Sequence, residues 1–353
     1  MIAVIGGVKI KVEVKMKLPE APKQDNWAEQ LAEEQSQEPA DAFEVMQARM
    51  RAEHDKFWQG EGGSSQNGMV GQLSVVDGGN DEINVTSCGC AFNVAKHLSE
   101  MGNDVKLITA AGKDPLGLAA LEDMRSRGID TSLVKQIDGQ TPVLFEIKNF
   151  AGEIEFARAN ETLFGEITKE LLESVREELA GADAIMVDGS VPLEALQYIA
   201  EEYGDQIKLF YDPASRAGGD KVSGETETGR AIMQKLYCVM PGRAEAEKMA
   251  GMIILGPDKL EAACDYFTEH GVDRSIITIQ GGGIYYREAG GEGGKTVRPE
   301  RVLKFADTTG AGDVVSAAII NETLKGAGID DTVNAAMDAA AGFLADLSDE
   351  RPY

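Results

Sequence analysis

The chain has 353 residues, with 60 acidic side chains against 34 basic ones and a formal net charge of -26. A surface that acidic repels nucleic-acid phosphates and anionic membrane headgroups, so neither a nucleic acid nor a membrane is expected as a partner. Its 43% hydrophobic content suits a globular chain with a well-buried core. No run approaches the roughly 18 to 20 apolar residues of a membrane span, and the N-terminus reads as a strand with lysines rather than a secretory leader, so a cytoplasmic location is expected. The four cysteines, Cys88, Cys90, Cys238 and Cys264, are too few for a disulfide framework and are read as free thiols. Cys88-Gly89-Cys90 lacks the second Cys or His pair that would complete a metal site.

In chain order, Ile2-Ala3-Val4-Ile5 opens as a strand running into Gly6-Gly7. A polar stretch from 18 to 69 follows, read as a helical pair. Phe43, Met46, Met50 and Phe57 fall on one helical face, and Gly60-Glu61-Gly62-Gly63-Ser64-Ser65 forms a flexible exit. Cys88-Gly89-Cys90-Ala91-Phe92-Asn93-Val94-Ala95 leads from glycine into a helix, and Val105-Lys106-Leu107-Ile108 is a strand. Thr141 to Lys148 and Glu153 to Ala157 alternate with period two around Ala151-Gly152, a hairpin pattern. Short apolar runs at 184–187, 208–211, 237–240 and 275–279 read as buried strands. Helical patterns such as 193–200 and 260–267 lie between them, which predicts a parallel sheet covered on both faces.

Near the C-terminal end, Arg301 to Phe305 reads as a strand and Val314 to Ile320 as a helix, separated by Asp307-Thr308-Thr309-Gly310-Ala311-Gly312-Asp313. Glycines at a helix start let backbone N–H groups of Gly310, Ala311 and Gly312 converge on an anion, with the helix dipole adding partial positive charge. Asp313 stands where it would accept the proton of a hydroxyl attacking a held phosphoryl group. Taken alone, Gly-x-Gly-Asp reads first as an ordinary turn with a capping aspartate.

These seven residues resemble the signature of the pfkB/ribokinase family of carbohydrate and nucleoside kinases. The resemblance runs from Met1 to about Gly342 with one interruption, through Ile2 to Gly7, Cys88 to Ala95, Gly112 to Gly117, Gly128-Ile129-Asp130, Tyr211 to Arg216 and Pro241 to Glu247. It implies one ribokinase-like α/β domain over 1–353, a three-layer sandwich on a mostly parallel sheet. The 18–69 segment would be an insert, and a small β lid would be built from about 8–17, 70–86 and 140–158. It implies ATP-dependent transfer of the γ-phosphoryl group to a primary hydroxyl of a small sugar, sugar acid or nucleoside, with Asp313 as base and Gly310, Ala311 and Gly312 as anion hole. By the same resemblance Asp212, Glu245, Thr278 and Gly283 belong to the nucleotide side, and Glu245 holds Mg²⁺ through water. Asp307 and Thr309 would bind a monovalent cation, usually K⁺, and Gly89, Asn93 and Lys11 would contact substrate. The segments around Asp212 and Glu245 resemble pseudouridine and related nucleoside kinases more than phosphofructokinases. Relatives that dimerise through the lid make a homodimer an expectation.

Three departures stand out. Lys9 and Lys11 occupy positions where the family carries hydroxyl-reading Asn and Asp; lysine only donates, so Lys11 would suit a carboxylate or phosphate on an acidic substrate, or both lysines face solvent. Gly242 replaces the Asn before Glu245, and Gln280 replaces a glycine. They motivate an alternative, a catalytically weak nucleotide-binding regulator on the same fold. A dinucleotide-dependent oxidoreductase is disfavoured, because Gly281-Gly282-Gly283 precedes a strand and no Gly-x-Gly-x-x-Gly turn occurs.

Overall fold

The computed structural model describes residues 1–16, 81–149, 152–279, 283–299 and 308–349, the last four without their side chains. The insert expected over 18–69, the strand expected over 301–305 and Gln280 lie outside them. Met1–Lys15 and Glu82–Tyr353 form one compact unit.

The strands in chain order are β1 (Ile2–Ile5), β2 (Lys9–Lys15), β3 (Glu82–Cys88), β4 (Val105–Ile108), β5 (Ala110–Gly112), β6 (Lys135–Ile137) and β7 (Val143–Lys148). After them come β8 (Ile154–Asn160), β9 (Ala184–Asp188), β10 (Lys208–Asp212), β11 (Cys238–Val239), β12 (Arg274–Ile279), β13 (Gly283–Glu288) and β14 (Lys295–Val297). An eight-stranded sheet has the order β14-β13-β12-β11-β10-β9-β1-β4. The strands from β12 to β4 are parallel, and β13 and β14 close one edge antiparallel.

Strand side chains alternate between two cores, as period two requires. Ala3, Ile5, Ile185, Val187, Leu209 and Tyr211 enter one, together with the helices Leu193–Tyr203 and Pro257–Glu269. Ile2, Val4, Ala184, Met186 and Phe210 enter the other, with the helices Cys90–Glu100 and Ala311–Leu324. Helices therefore cover both faces, the three-layer arrangement expected of continuous apolar strands.

A second sheet has the order β3-β2-β7-β8, with β2 and β7 parallel and both flanking pairs antiparallel. It joins the central sheet closely, since β2 begins a few residues after β1 and β3 runs directly into the helix Cys90–Glu100. In a parallel sheet all carboxyl ends lie on one edge, and ligands gather there. Gly6-Gly7, Asp188, Asp212, Gly242 and Thr278 are all brought to that edge.

Candidate active site

A cavity of ≈ 370 Å³ opens at that edge. Gly89, Asn93, Asp212, Glu245, Thr278, Thr309, Gly310, Gly312, Asp313 and Lys11 line it, so residues spread over more than two hundred positions converge on one space. Two assigned residues do not line it. Ala311 directs its N–H to the Thr308 carbonyl at 3.1 Å, closing a turn, which leaves Gly310 and Gly312 of the expected trio facing the cavity. Gly283 begins β13 with φ +101°, and a Cβ there would sit 2.1 Å from the Val297 carbonyl oxygen. Its glycine character answers to the close approach of β14. Asp307 lies outside the described residues.

Gly310 precedes the helix Ala311–Leu324 in a left-handed conformation, φ +90°. Among the described residues a Cβ on Gly312 would meet nothing within 4 Å, while one on Gly310 would lie 3.2 Å from the Phe343 ring. Asp313, in the first turn, faces the cavity and accepts a hydrogen bond from Asn93 Nδ2 at 2.7 Å. The sequence left Asn93 between a substrate contact and a self-satisfied turn; it lines the cavity and its amide also holds the aspartate. Burial, followed by the nearby Asp212 charge, pushes the Asp313 carboxyl up to about 7.

Asp212 closes β10 and is buried, accepting from Ser316 Oγ at 2.7 Å and from the Ala214 N–H at 2.9 Å. Ala214 pays for this loop with a positive φ of 55°, strain that recurs at functional edges. Burial pushes Asp212 up to about 6 despite these donors. The Cys90 thiol, half-buried, completes a group with Asp212 and Asp313 whose ligating atoms lie within 4.8 Å of one another. Burial raises that thiol well above its usual range and its neighbour Cys88 to about 11, so both stand as protonated thiols.

Behind this cluster, Asp188 at the end of β9 accepts from Gly7 N–H at 3.2 Å, Ala91 N–H at 3.0 Å, Ser190 N–H at 2.9 Å and the Ser190 hydroxyl. It ties the turn after β1 to the start of the helix carrying Asn93. Burial raises its carboxyl as well. Sequence reasoning missed Asp188, Ser316 and Cys90 as neighbours of Asp313. An acid closing an apolar strand, as in Ala184 to Asp188, was the available signal for the first.

Glu245 lies in the first turn of the helix Arg243–Ala250. A Cβ on Gly242 would lie 2.5 Å from Glu245 Oε2, so the glycine standing where the family has Asn makes room for this carboxylate over the site. Glu245 lines the same cavity as Asp212 and Asp313, and carboxylate oxygens are the donor type that a hard cation such as Mg²⁺ takes. Lys9 and Lys11 also line the cavity rather than facing solvent, Lys9 paired with Glu161 at 2.5 Å and Lys11 with Glu13 at 3.3 Å.

A small-molecule kinase is the class that this fold and cavity define, and the chain belongs to the pfkB family of carbohydrate kinases, whose profile matches residues 72–345. It is 26% identical to the pseudouridine kinase of Escherichia coli (strain K12), over 70% of this chain and 76% of that one. It is 24% identical to the ribokinase of Schizosaccharomyces pombe (strain 972 / ATCC 24843), over 71% and 77%. Among solved structures, ribokinase from Thermotoga maritima superposes with a TM-score of 0.67 at 19% identity, covering 96% of this chain and 91% of that one. Arabidopsis thaliana ribokinase complexed with ribose and ATP superposes with 0.68 at 13%, covering 96% and 90%. Family membership makes the protein a carbohydrate or nucleoside kinase and implies ATP, with Mg²⁺ as its companion. Among the described residues no helix is long and apolar enough to cross a membrane.

Proposed function

We propose that the protein transfers the γ-phosphoryl group of ATP directly to a primary hydroxyl of a small sugar, sugar acid or nucleoside, with Asp313 as the base. One observation carries the proposal. A carboxyl poised near neutral pH, a helix start and the N–H-bearing Gly310 and Gly312 face the same cavity. A base whose pKa lies near working pH is the most effective, and here burial beside Asp212 sets it there.

Asp313 takes the hydroxyl proton as the acceptor oxygen attacks, while Asn93 keeps the receiving oxygen oriented through its 2.7 Å hydrogen bond. The N–H groups of Gly310 and Gly312 and the positive end of the helix stabilise charge spreading over the transferred group, a preorganised contribution of about 3–4 kcal/mol per donor where similar sites have been probed. Glu245, through water, and Asp212 are the residues that would hold Mg²⁺, which when bound neutralises phosphate charge. Thr309, at the cavity, and Asp307 would hold a K⁺ beside the anion hole. A cytoplasmic location and a homodimer belong to the same proposal, the second checked by elution volume.

ADP release over a panel of sugars, sugar acids and nucleosides, with Mg²⁺ and K⁺ varied independently, tests the proposal. Turnover of one acceptor class is expected; ATP binding with no turnover of any would refute it and favour a regulator. Resemblance to pseudouridine kinase places nucleosides first in the panel.

A further inference from the structure

Beside the cavity, β2 and β7 of the second sheet carry charged residues. Lys11 and Glu13 on β2 stand beside Leu144 and Glu146 on β7 in parallel register, and Lys148 follows on the same face. Glu13, 5% exposed, gathers three ammonium groups: Lys148 at 2.5 Å, Lys11 at 3.3 Å and Lys15 at 3.6 Å. Burial works against its charge, but these partners prevail and hold its carboxyl below the usual range.

Glu146 receives none of them. It is 8% exposed and lines the same cavity as Asp313, and among the described residues no hydrogen bond or ion pair reaches its carboxylate. Its oxygens are not among the sealed side-chain atoms that lack a partner, so they are reached from the cavity. A carboxylate accepts only, so a molecule in the cavity that binds it there must bring donors. The two lysines lining the cavity are already engaged by Glu161 and Glu13, whereas the lining carboxyl groups include Glu146, Asp212, Glu245 and Asp313. The acceptor side of the site thus offers an open place for donors and no unengaged cation, among the described residues, for an anion.

We propose that Glu146 determines acceptor specificity: its carboxylate accepts hydrogen bonds from hydroxyl or ring N–H groups of a neutral sugar or nucleoside, and the same carboxylate excludes sugar acids and sugar phosphates. Selection then has both an attractive and a repulsive part, the second arising because an anion placed against Glu146 meets a like charge in a partly dehydrated space. The proposal rests on the kinase reading and narrows it. Lys11, which by itself suggested an acidic substrate, acts as a structural partner of Glu13.

The test uses the full chain with ATP and Mg²⁺ and compares neutral sugars and nucleosides with aldonic acids and hexose monophosphates, by ADP release and by calorimetric binding. Neutral acceptors should be turned over. Glu146→Gln, similar in shape, keeps one acceptor oxygen but loses the charge, and should raise KM for the acceptor about 10-fold, the difference between a hydrogen bond to a charged and to a neutral group, with KM for ATP unchanged. Deoxy analogues measured on the wild-type chain give a second reading that no folding defect can imitate: the analogue lacking the hydroxyl that faces Glu146 loses more affinity on wild type than on the variant. Preferential turnover or binding of acidic acceptors, or a Glu146→Gln variant with unchanged acceptor KM and affinity, would overturn the proposal. Neutral acceptors that bind through Glu146 without ADP release would leave it standing and sink the kinase reading instead.

Discussion

Replacing Asp313 with Asn isolates one carboxylate in an otherwise unchanged site. The amide keeps one acceptor for Asn93 Nδ2, so geometry is retained while the ability to take a proton is lost. Turnover should fall about 10²- to 10⁴-fold, or about 3–5 kcal/mol in the barrier, with KM for ATP within about twofold. The same substitution has a stability signature of opposite sign. Burial and Asp212 raise the folded-state carboxyl to about 7, so folding at neutral pH is opposed by the cost of ionising it inside the protein. That opposition is absent below the unfolded value near pH 4, grows as pH rises through the interval to about 7 and is constant above it, reaching roughly 4 kcal/mol as an upper limit. Asp313→Asn should therefore raise the melting temperature at pH 8 and leave it nearly unchanged at pH 4. Coupled ADP assays and thermal melts at the two pH values measure both effects. Turnover within tenfold of wild type would refute the assigned base, and equal melting shifts at the two pH values would refute the raised carboxyl.

Other predictions follow from single contacts. Because Asp313 must be unprotonated to act, kcat/KM should rise through about pH 7, and Asn93→Ala, which removes a donor favouring the charged form, should move that limb to higher pH in a pH–rate profile. Gly283→Ala should destabilise the fold by more than about 1 kcal/mol in denaturant unfolding while leaving KM for ATP near wild type, since its Cβ meets the Val297 carbonyl rather than the cavity. Lys148→Met removes the shortest of the three partners of buried Glu13 and should cost about 3–5 kcal/mol by the same measurement, less if Lys11 and Lys15 compensate. Glu245→Gln should raise the Mg²⁺ concentration for half-maximal rate with little change in melting temperature, read from a Mg²⁺ titration of ADP release.

The sequence by itself determined the sheet and the chemistry at its edge. Continuous apolar runs at 2–5, 184–187 and 208–211 specified buried parallel strands, and the glycine-bounded segment 310–313 specified a helix start with an acid in its first turn, because both signals are local in the chain. Tertiary structure decided everything that depends on which distant residues meet. Asn93 holds Asp313 across 220 positions, Ser316 reaches Asp212 across 104, and Asp188 joins Gly7 to Ala91, pairings no spacing in the chain encodes. The pairing of Lys11 with Glu13 and the approach of the Val297 carbonyl to Gly283 are likewise contacts that chain order does not encode. Even the pKa of the proposed base is a tertiary property. Asp313 titrates near 7 because folding removes water from it and brings Asp212 close, conditions that exist only once β10 and the helix after Gly310 lie side by side.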